Sequence, residues 1–141
     1  MRMPANKRTD AYLDVVEQAG LSALVREVEF VKPDDEKGAV VAKILDENPD
    51  IDGIFAGDDT MAAICLNVMK QRGLSAPDDI KVVGADGARR TMTFMPDLTT
   101  VLQDIDRIGE LAAQSIIALI NGDKPESNIK LPVGLIEGKT A

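Results

Sequence analysis

Histidine and tryptophan are absent from this chain of 141 residues, and cysteine occurs only once, as Cys65. Without histidine, the chain lacks the most common general base and the most common metal ligand in proteins. It also has neither a Ser-His-Asp nor a Cys-His catalytic arrangement. A single cysteine excludes an intrachain disulfide framework, and we expect Cys65 to be a buried thiol that packs in the core.

Positive charge and long apolar runs are also scarce. The chain has 16 Lys and Arg residues against 24 Asp and Glu residues, for a formal net charge of −8. A duplex-binding domain shows clustered positive charge, so this chain is a poor nucleic-acid reader by itself. No apolar run approaches the ~18 residues of a membrane helix. We therefore expect a cytoplasmic protein that does not bind a membrane.

Segments with helical periodicity alternate with short apolar or β-branched segments along the whole chain. We predict helices at 10–20, 33–47, 60–72 and 106–121, and a short helix or turn at 88–94. We predict strands at 24–31, 51–57, 80–87, 98–103 and 129–137. Strands that alternate with helices through short connections indicate an α/β fold, with a parallel sheet flanked by helices.

Acidic residues follow two of the predicted strands, which we expect to be buried on both faces. Asp58 and Asp59 follow the strand at 51–57, where we expect Phe55 to lie in the core, and Asp86 ends the strand at 80–87. The carboxyl ends of parallel strands meet at one edge, where ligands of such sheets bind. Carboxylates there would accept hydrogen bonds from the hydroxyls of a polyol, and Mg²⁺ is an alternative occupant.

Each of these acids also has a purely structural interpretation. Asp58 or Asp59 would cap the helix that starts near Thr60, and we favour this role for at least one of them. Asp86 would form a β-turn with Gly87, which is about as plausible as ligand binding. From the residues alone, the chain is an α/β domain with acids at one edge and no assigned function.

Six segments, in chain order, resemble motifs of the LacI family of sugar-sensing transcriptional regulators. The match of residues 96–103 to P-x-L-T-T-[VI]-x-Q is close, and the other five segments are individually weaker. The six are Arg8–Tyr12 (R-x-x-G-[FYW]), Phe55–Ala62 (strand, N-D-x-x-A, helix), Leu74–Ile80 (G-[LIV]-x-[IV]-P-x-D-[IV]), Val82–Asp86 (V-x-G-[FY]-D), Pro96–Gln103 and Leu131–Thr140 (the closing L-P strand).

The resemblance implies a type I periplasmic-binding-protein-like fold, of which this chain is the C-terminal lobe and which is incomplete without an N-terminal lobe. Residues 1–103 would form the C-terminal subdomain. Residues 104–122 would be a crossover helix that in the family packs in the N-terminal lobe, and 123–141 the return strand and C-terminus. We expect the apolar face of the 104–122 helix to self-associate, swap or dock elsewhere rather than be simply solvated.

The resemblance also implies a ligand site. Arg8 falls on the family's effector-contacting arginine, Asp86 on its effector-binding aspartate and Gln103 on a glutamine that lines the pocket. Asp58 replaces an asparagine, so its side chain at this position would only accept hydrogen bonds. The family's stacking aromatic lies just before the second helix, and Phe30 would have to serve in its place.

By the same resemblance, the ligand is a small sugar or sugar phosphate held between two lobes, whose closure changes the DNA affinity of the full-length regulator. DNA would be bound only through a helix-turn-helix that this chain lacks. A homodimer would form through the helices at 38–47 and 60–72. We expect no catalytic residues, no metal and no cofactor. The alternatives are a periplasmic sugar-binding protein of an ABC transporter and, less favoured, a small Mg²⁺-dependent α/β enzyme or receiver.

Overall fold

The computed structural model describes the backbone from Pro4 to Ala141 and the side chains from Lys7 onward. The elements alternate between helix and strand as predicted from residue 34 to residue 120. The helices are α1 (Pro4–Gln18), α2 (Asp34–Glu47), α3 (Asp59–Gln71), α4 (Arg89–Phe94) and α5 (Ile105–Ile120). The strands are β1 (Gly53–Phe55), β2 (Lys81–Asp86), β3 (Thr99–Leu102) and β4 (Gly134–Ile136).

The four strands form one sheet in the order β1-β2-β3-β4, with helices around it. The pairs β1-β2 and β2-β3 are parallel, which confirms the predicted α/β class. The last strand departs from this parallel arrangement, because β4 pairs antiparallel to β3. Leu102 at the end of β3 pairs with Gly134 at the start of β4. The chain between them therefore leaves the sheet and returns to it at the same end of these strands.

The core lies where α3 packs on β2 and α2. Ala62 and Cys65 of α3 are buried at helical spacing, and Val82 and Leu98 are buried against them. Burial raises the pKa of the Cys65 thiol to about 11, so the thiol stays neutral at physiological pH. The interpretation of Cys65 as a packing residue is therefore confirmed.

The predicted strand at 24–31 is wrong. Residues 22–29 have irregular backbone and pair with no strand, and Phe30 and Val31 are highly exposed. An alternating apolar pattern produces a strand only where an open sheet edge supplies hydrogen bonds and a core covers one face. Here side chains partner parts of the segment's backbone instead: the Leu24 amide donates to the Tyr12 hydroxyl at 3.4 Å, and the Val25 carbonyl accepts from the Arg26 guanidinium at 2.9 Å.

The first and last strands are shorter and more exposed than predicted. β1 covers only three residues, and Phe55 is 42% exposed, so the expectation that it lies in the core is wrong. The reason is position: β1 is at the edge of the sheet and is covered on fewer sides than β2. The segment at 129–137 forms a strand only over its last part, as β4.

Helix α5 is strongly amphipathic yet none of its residues is buried. Asp104 caps its start by accepting a hydrogen bond from the Arg107 amide at 2.9 Å, and Gly122, with φ +84°, follows its end. Ile116, Leu119 and Ile120 are each more than half exposed. The expectation that this face associates or docks stays a prediction. No helix between Pro4 and Ala141 has the length and apolar composition needed to span a bilayer.

Candidate functional site

The loops that follow β1 and β2 lie side by side at one edge of the sheet. Phe55 pairs with Val83 in parallel register, and the Ala56 amide donates to the Val83 carbonyl at 2.8 Å. Gly57 and Asp86 therefore come together, although they are 29 positions apart in the sequence. The expected convergence of the two acid-bearing loops is what the structure shows.

Arg8 reaches this edge from α1. Its Nη1 donates a hydrogen bond to the Gly57 carbonyl, and its Nη2 donates to Asp86 Oδ1 at 2.9 Å. The Arg8 and Asp86 side chains are 30% and 36% exposed, so the ion pair is partly shielded from water and open on one side. One guanidinium thus ties α1 to the ends of both strands.

Gln103 completes the arrangement from the residue after β3. Its side-chain Nε2 donates to Asp86 Oδ1 at 2.5 Å, and its backbone amide donates to the backbone carbonyl of Asp86 at 3.0 Å. We call these three side chains the Arg8–Asp86–Gln103 cluster. It offers a cationic donor, a carboxylate acceptor and an amide that can do both, which is the set that hydroxyl-rich ligands require.

Asp86 is held in an unusual state. Its φ of +120° lies in a region that residues other than glycine rarely adopt, at a cost of about 1–3 kcal/mol. Desolvation by burial raises the pKa of its carboxyl above the ordinary value; Arg8 opposes this shift, while the charges of Asp59 and Asp58 add to it. Gly87 follows with φ +63°, so two successive residues with positive φ lie at the cluster, while the β-turn stays a prediction.

Asp58 and Asp59 are neighbours with different roles. Asp58 is the N-cap of α3, where its Oδ1 accepts from the Met61 amide at 2.7 Å, so the capping interpretation is confirmed for this residue. Asp59 is only 3% exposed and accepts from the Gly87 amide at 2.9 Å and from Thr100 Oγ1 at 2.5 Å. It belongs to the interior and does not cap the helix.

Phe30 is not part of the Arg8–Asp86–Gln103 cluster. It lies in the irregular segment before α2, is 83% exposed, and has the Lys37 ammonium 5.5 Å from its ring centroid. Its use as a stacking aromatic stays a prediction. Across residues 4–141, no three His, Cys, Asp or Glu side chains are grouped so that they could hold a metal ion.

Sequence reasoning missed Thr100, the buried partner of Asp59. Thr100 is fully buried in β3 and lies opposite Gly84 of β2 in the parallel register. A signal was present, because a polar residue inside a short buried strand needs a polar partner. The partner itself is 41 residues away, and no local pattern identifies it.

The chain matches the family described as periplasmic binding protein-like domain over residues 2–141. It is 34% identical over 117 residues to the ribose operon repressor of Halalkalibacterium halodurans, covering 83% of this chain and 35% of that protein. It is 33% identical over 140 residues to the sucrose operon repressor of Pediococcus pentosaceus, covering 98% of this chain and 43% of that protein. The chain thus spans less than half the length of these curated relatives.

A solved structure has the same fold. The LacI family transcriptional regulator from Arthrobacter sp. FB24, in complex with lactose, superposes with a TM-score of 0.78 at 27% sequence identity. The match covers 93% of this chain and 50% of that one.

Proposed function

The chain belongs to the periplasmic binding protein-like domain family in its LacI-type regulator form, and we propose that it supplies one wall of an effector site that binds a sugar. The observation that carries this proposal is the Arg8–Asp86–Gln103 cluster. Three side chains from separate elements converge on one partly open edge, at the carboxyl ends of parallel strands. The chain would bind and not transform its ligand, as expected of a regulator.

The chemistry of the cluster favours a neutral sugar over a sugar phosphate. Asp86 already pairs with Arg8, which uses part of the positive charge that a phosphate would require. Asp58 and Asp59 place two further carboxylates close enough to raise the pKa of Asp86. An anionic ligand would meet this negative field, whereas a hydroxyl can donate to Asp86 and accept from Arg8. Asp58 would contact the ligand only as an acceptor.

We propose that the second wall is another lobe, as in the family's two-lobed arrangement, which the resemblance implies. Residues 1–103 would form the lobe described above, of which residues 1–3 lie outside the described part. The exposed face of α5, within 104–122, would pack on the second lobe, and 123–141 would return the chain to this one. Closure of the lobes on the sugar would shift the population of states that bind DNA through a separate helix-turn-helix in a cytoplasmic regulator.

We also propose a homodimer through α2 and α3. A groove between these helices is lined by small or apolar residues, including Gly38, Ala42 and Ala63, and by polar residues such as Asn67 and Arg72. Small residues let helices of two copies approach closely, and a two-fold interface would bury the same groove on both.

Nuclear magnetic resonance titration of this chain with ribose, sucrose, cellobiose and lactose tests the sugar site. We expect one or more sugars to shift the amide signals of Gly57, Asp86 and Gln103, with weak affinity because one wall alone encloses little of the ligand. Asp86→Ala should weaken that binding by about tenfold to a hundredfold, the effect of losing a charged hydrogen-bond partner.

Asp123→Ala is the matched control, because Asp123 is an exposed aspartate beyond the end of α5. It should leave the sugar affinity unchanged. Equal loss in both variants, or no signal shift with any of the four sugars, would contradict the proposed site.

A further inference from the structure

Asp59 is a buried carboxylate that the proposed ligand contacts leave unused. It is the first residue of α3 and is almost completely inaccessible to solvent. Its two oxygens have separate partners: Oδ1 accepts from Thr100 Oγ1 of β3, and Oδ2 accepts from the Gly87 amide. A buried carboxylate is costly unless such bonds satisfy it, so its placement is specific.

The backbone around Asp59 leaves room for it. A Cβ on Gly84 would stand 2.6 Å from Asp59 Oδ1 and 3.2 Å from Thr100 Oγ1. Any side chain at position 84 would therefore push the carboxylate away from Thr100. Glycine in β2, threonine in β3 and aspartate at the start of α3 form one buried contact that joins three elements.

The Gly87 amide is the peptide group directly after Asp86. Asp86 has a φ of +120°, and a residue other than glycine keeps such a backbone only where its surroundings hold it there. Arg8 and Gln103 hold the Asp86 side chain from the open side. Asp59 holds the following peptide group from the buried side. Asp86 and Gly87 are thus hydrogen-bonded on both the open and the buried side.

We propose that Asp59 is a positioning residue of the ligand site: by holding the Gly87 amide, it fixes the backbone of Asp86 and so aims the Asp86 carboxylate at Arg8 and Gln103. This inference rests on the proposed function, since it takes Asp86 as the ligand acceptor. Thr100 and Gly84 support Asp59 and have no contact with a ligand in this scheme.

If Asp59 has a purely structural role, its loss lowers stability without changing the backbone conformation of Asp86 in the folded protein. The two roles separate in the three-bond coupling between the amide and α protons of Asp86, which reports φ directly. At φ near +120° this coupling is small, and in ordinary extended backbone it is large. The chemical shift of the Gly87 amide proton reports the hydrogen bond to Asp59.

The experiment compares Asp59→Ala with Asp59→Asn in the ligand-free chain. The alanine variant should show a larger Asp86 coupling and an upfield shift of the Gly87 amide. The asparagine variant should stay close to the wild type, because its carbonyl oxygen can accept from Gly87 while its amide donates to Thr100. A folded alanine variant with unchanged coupling and unchanged Gly87 shift would overturn the inference.

If the alanine variant does not fold, a measurement on the wild-type chain still tests the hydrogen bond on which the inference rests. A scalar coupling across the hydrogen bond should link the Gly87 nitrogen with the side-chain carboxyl carbon of Asp59. The absence of this coupling, under conditions where backbone hydrogen bonds in β2 and β3 give theirs, would overturn the inference.

Titration with sugars distinguishes a failure of this inference from a failure of the proposed function. Ribose, sucrose, cellobiose and lactose are titrated into the wild type and both variants, and we expect the alanine variant to lose about tenfold or more in affinity for any sugar that the wild type binds, while asparagine restores it. Wild-type protein that binds none of the four sugars would count against the proposed function, while the couplings would still decide the role of Asp59. Sugar binding that survives in the alanine variant would overturn the positioning role alone.

Discussion

Helices α3 and α5 are both amphipathic, but only the apolar face of α3 is buried. α3 buries Ala62, Cys65 and Met69 against β2 and α2. α5 carries the stronger apolar stripe and buries no residue. The difference shows that periodicity specifies where a helix forms and which side is apolar, whereas burial requires another element to cover that side. The covered helix lies beside the candidate site, and the uncovered helix is where we propose that a second lobe packs.

The largest effect should come from truncating the covered face. Met69→Ala removes a side chain that is 1% exposed and should lower the free energy of unfolding by about 2–5 kcal/mol. Ile116→Ala on α5, where the residue is 57% exposed, should change it by less than about 1 kcal/mol. Urea denaturation measures both. Similar losses of unfolding free energy in the two variants would mean that the apolar face of α5 is covered in solution, and the contrast between α3 and α5 would then not hold.

The uncovered face should also show itself through association. We expect the apparent mass in analytical ultracentrifugation to rise with protein concentration, because an exposed apolar stripe of this extent favours contact between copies. The double variant Ile117→Lys, Leu119→Lys should remove association beyond the homodimer proposed through α2 and α3, since both side chains are more than half exposed. Val15→Lys is the control, an exposed apolar residue on α1. An apparent mass that rises above that of a dimer as strongly in the double variant as in the wild type would show that the contact lies elsewhere.

Removing the N-cap of each helix should have an effect of intermediate size on the free energy of unfolding. Asp58 caps α3 and Asp104 caps α5, each by accepting one backbone hydrogen bond. Asp58→Ala should cost about 1 kcal/mol of unfolding free energy, and Asp58→Asn should recover most of it. Asp104→Ala should cost less, because fraying of an unburied helix exposes little core. Thermal unfolding followed by circular dichroism tests the order, and a larger loss for Asp104→Ala would contradict it.

The smallest effect is the pH dependence that Asp86 contributes. Burial raises the pKa of its carboxyl in the folded state, so the folded chain binds this proton more tightly than the unfolded chain does. Its contribution to stability therefore increases as pH falls through the raised pKa toward the ordinary value near 3.8. The difference between wild type and Asp86→Asn in unfolding free energy, measured across acidic pH, should show this sign. The opposite slope would mean that Arg8 outweighs burial.

Several elements could be predicted from local sequence because local physics decides them. Pro33 followed by three acidic residues starts α2, since the first turn lacks backbone partners and favours negative charge. Gly73, with φ +74°, follows the end of α3, where few other residues are tolerated. The strand predicted at 24–31 was wrong because a strand needs a neighbouring strand to pair with. The antiparallel direction of β4 was not predicted, because it depends on the path of the preceding chain.

The candidate site divides in the same way. The acids at the ends of β1 and β2 were predictable, because parallel strands bring their carboxyl ends to one edge. The ion pair between Arg8 and Asp86 joins residues 78 positions apart, and the bond between Asp59 and Thr100 joins residues 41 positions apart. The resemblance implied a role for Arg8, but only the folded chain shows that its guanidinium donates to both Gly57 and Asp86.

Local sequence was enough to determine the order of helices and strands from α2 to α5, the apolar face of each of these helices and the positions of the acids after the strands, because these follow from the preferences of neighbouring residues. Tertiary structure alone decided which apolar face is covered, which aspartate is buried and which one pairs with Arg8 and Gln103. Asp58 and Asp59 are chemically identical and adjacent, yet one caps a helix at the surface and the other lies inside. Only the surrounding strands distinguish them, since burial and hydrogen-bond partners are properties of the packed chain.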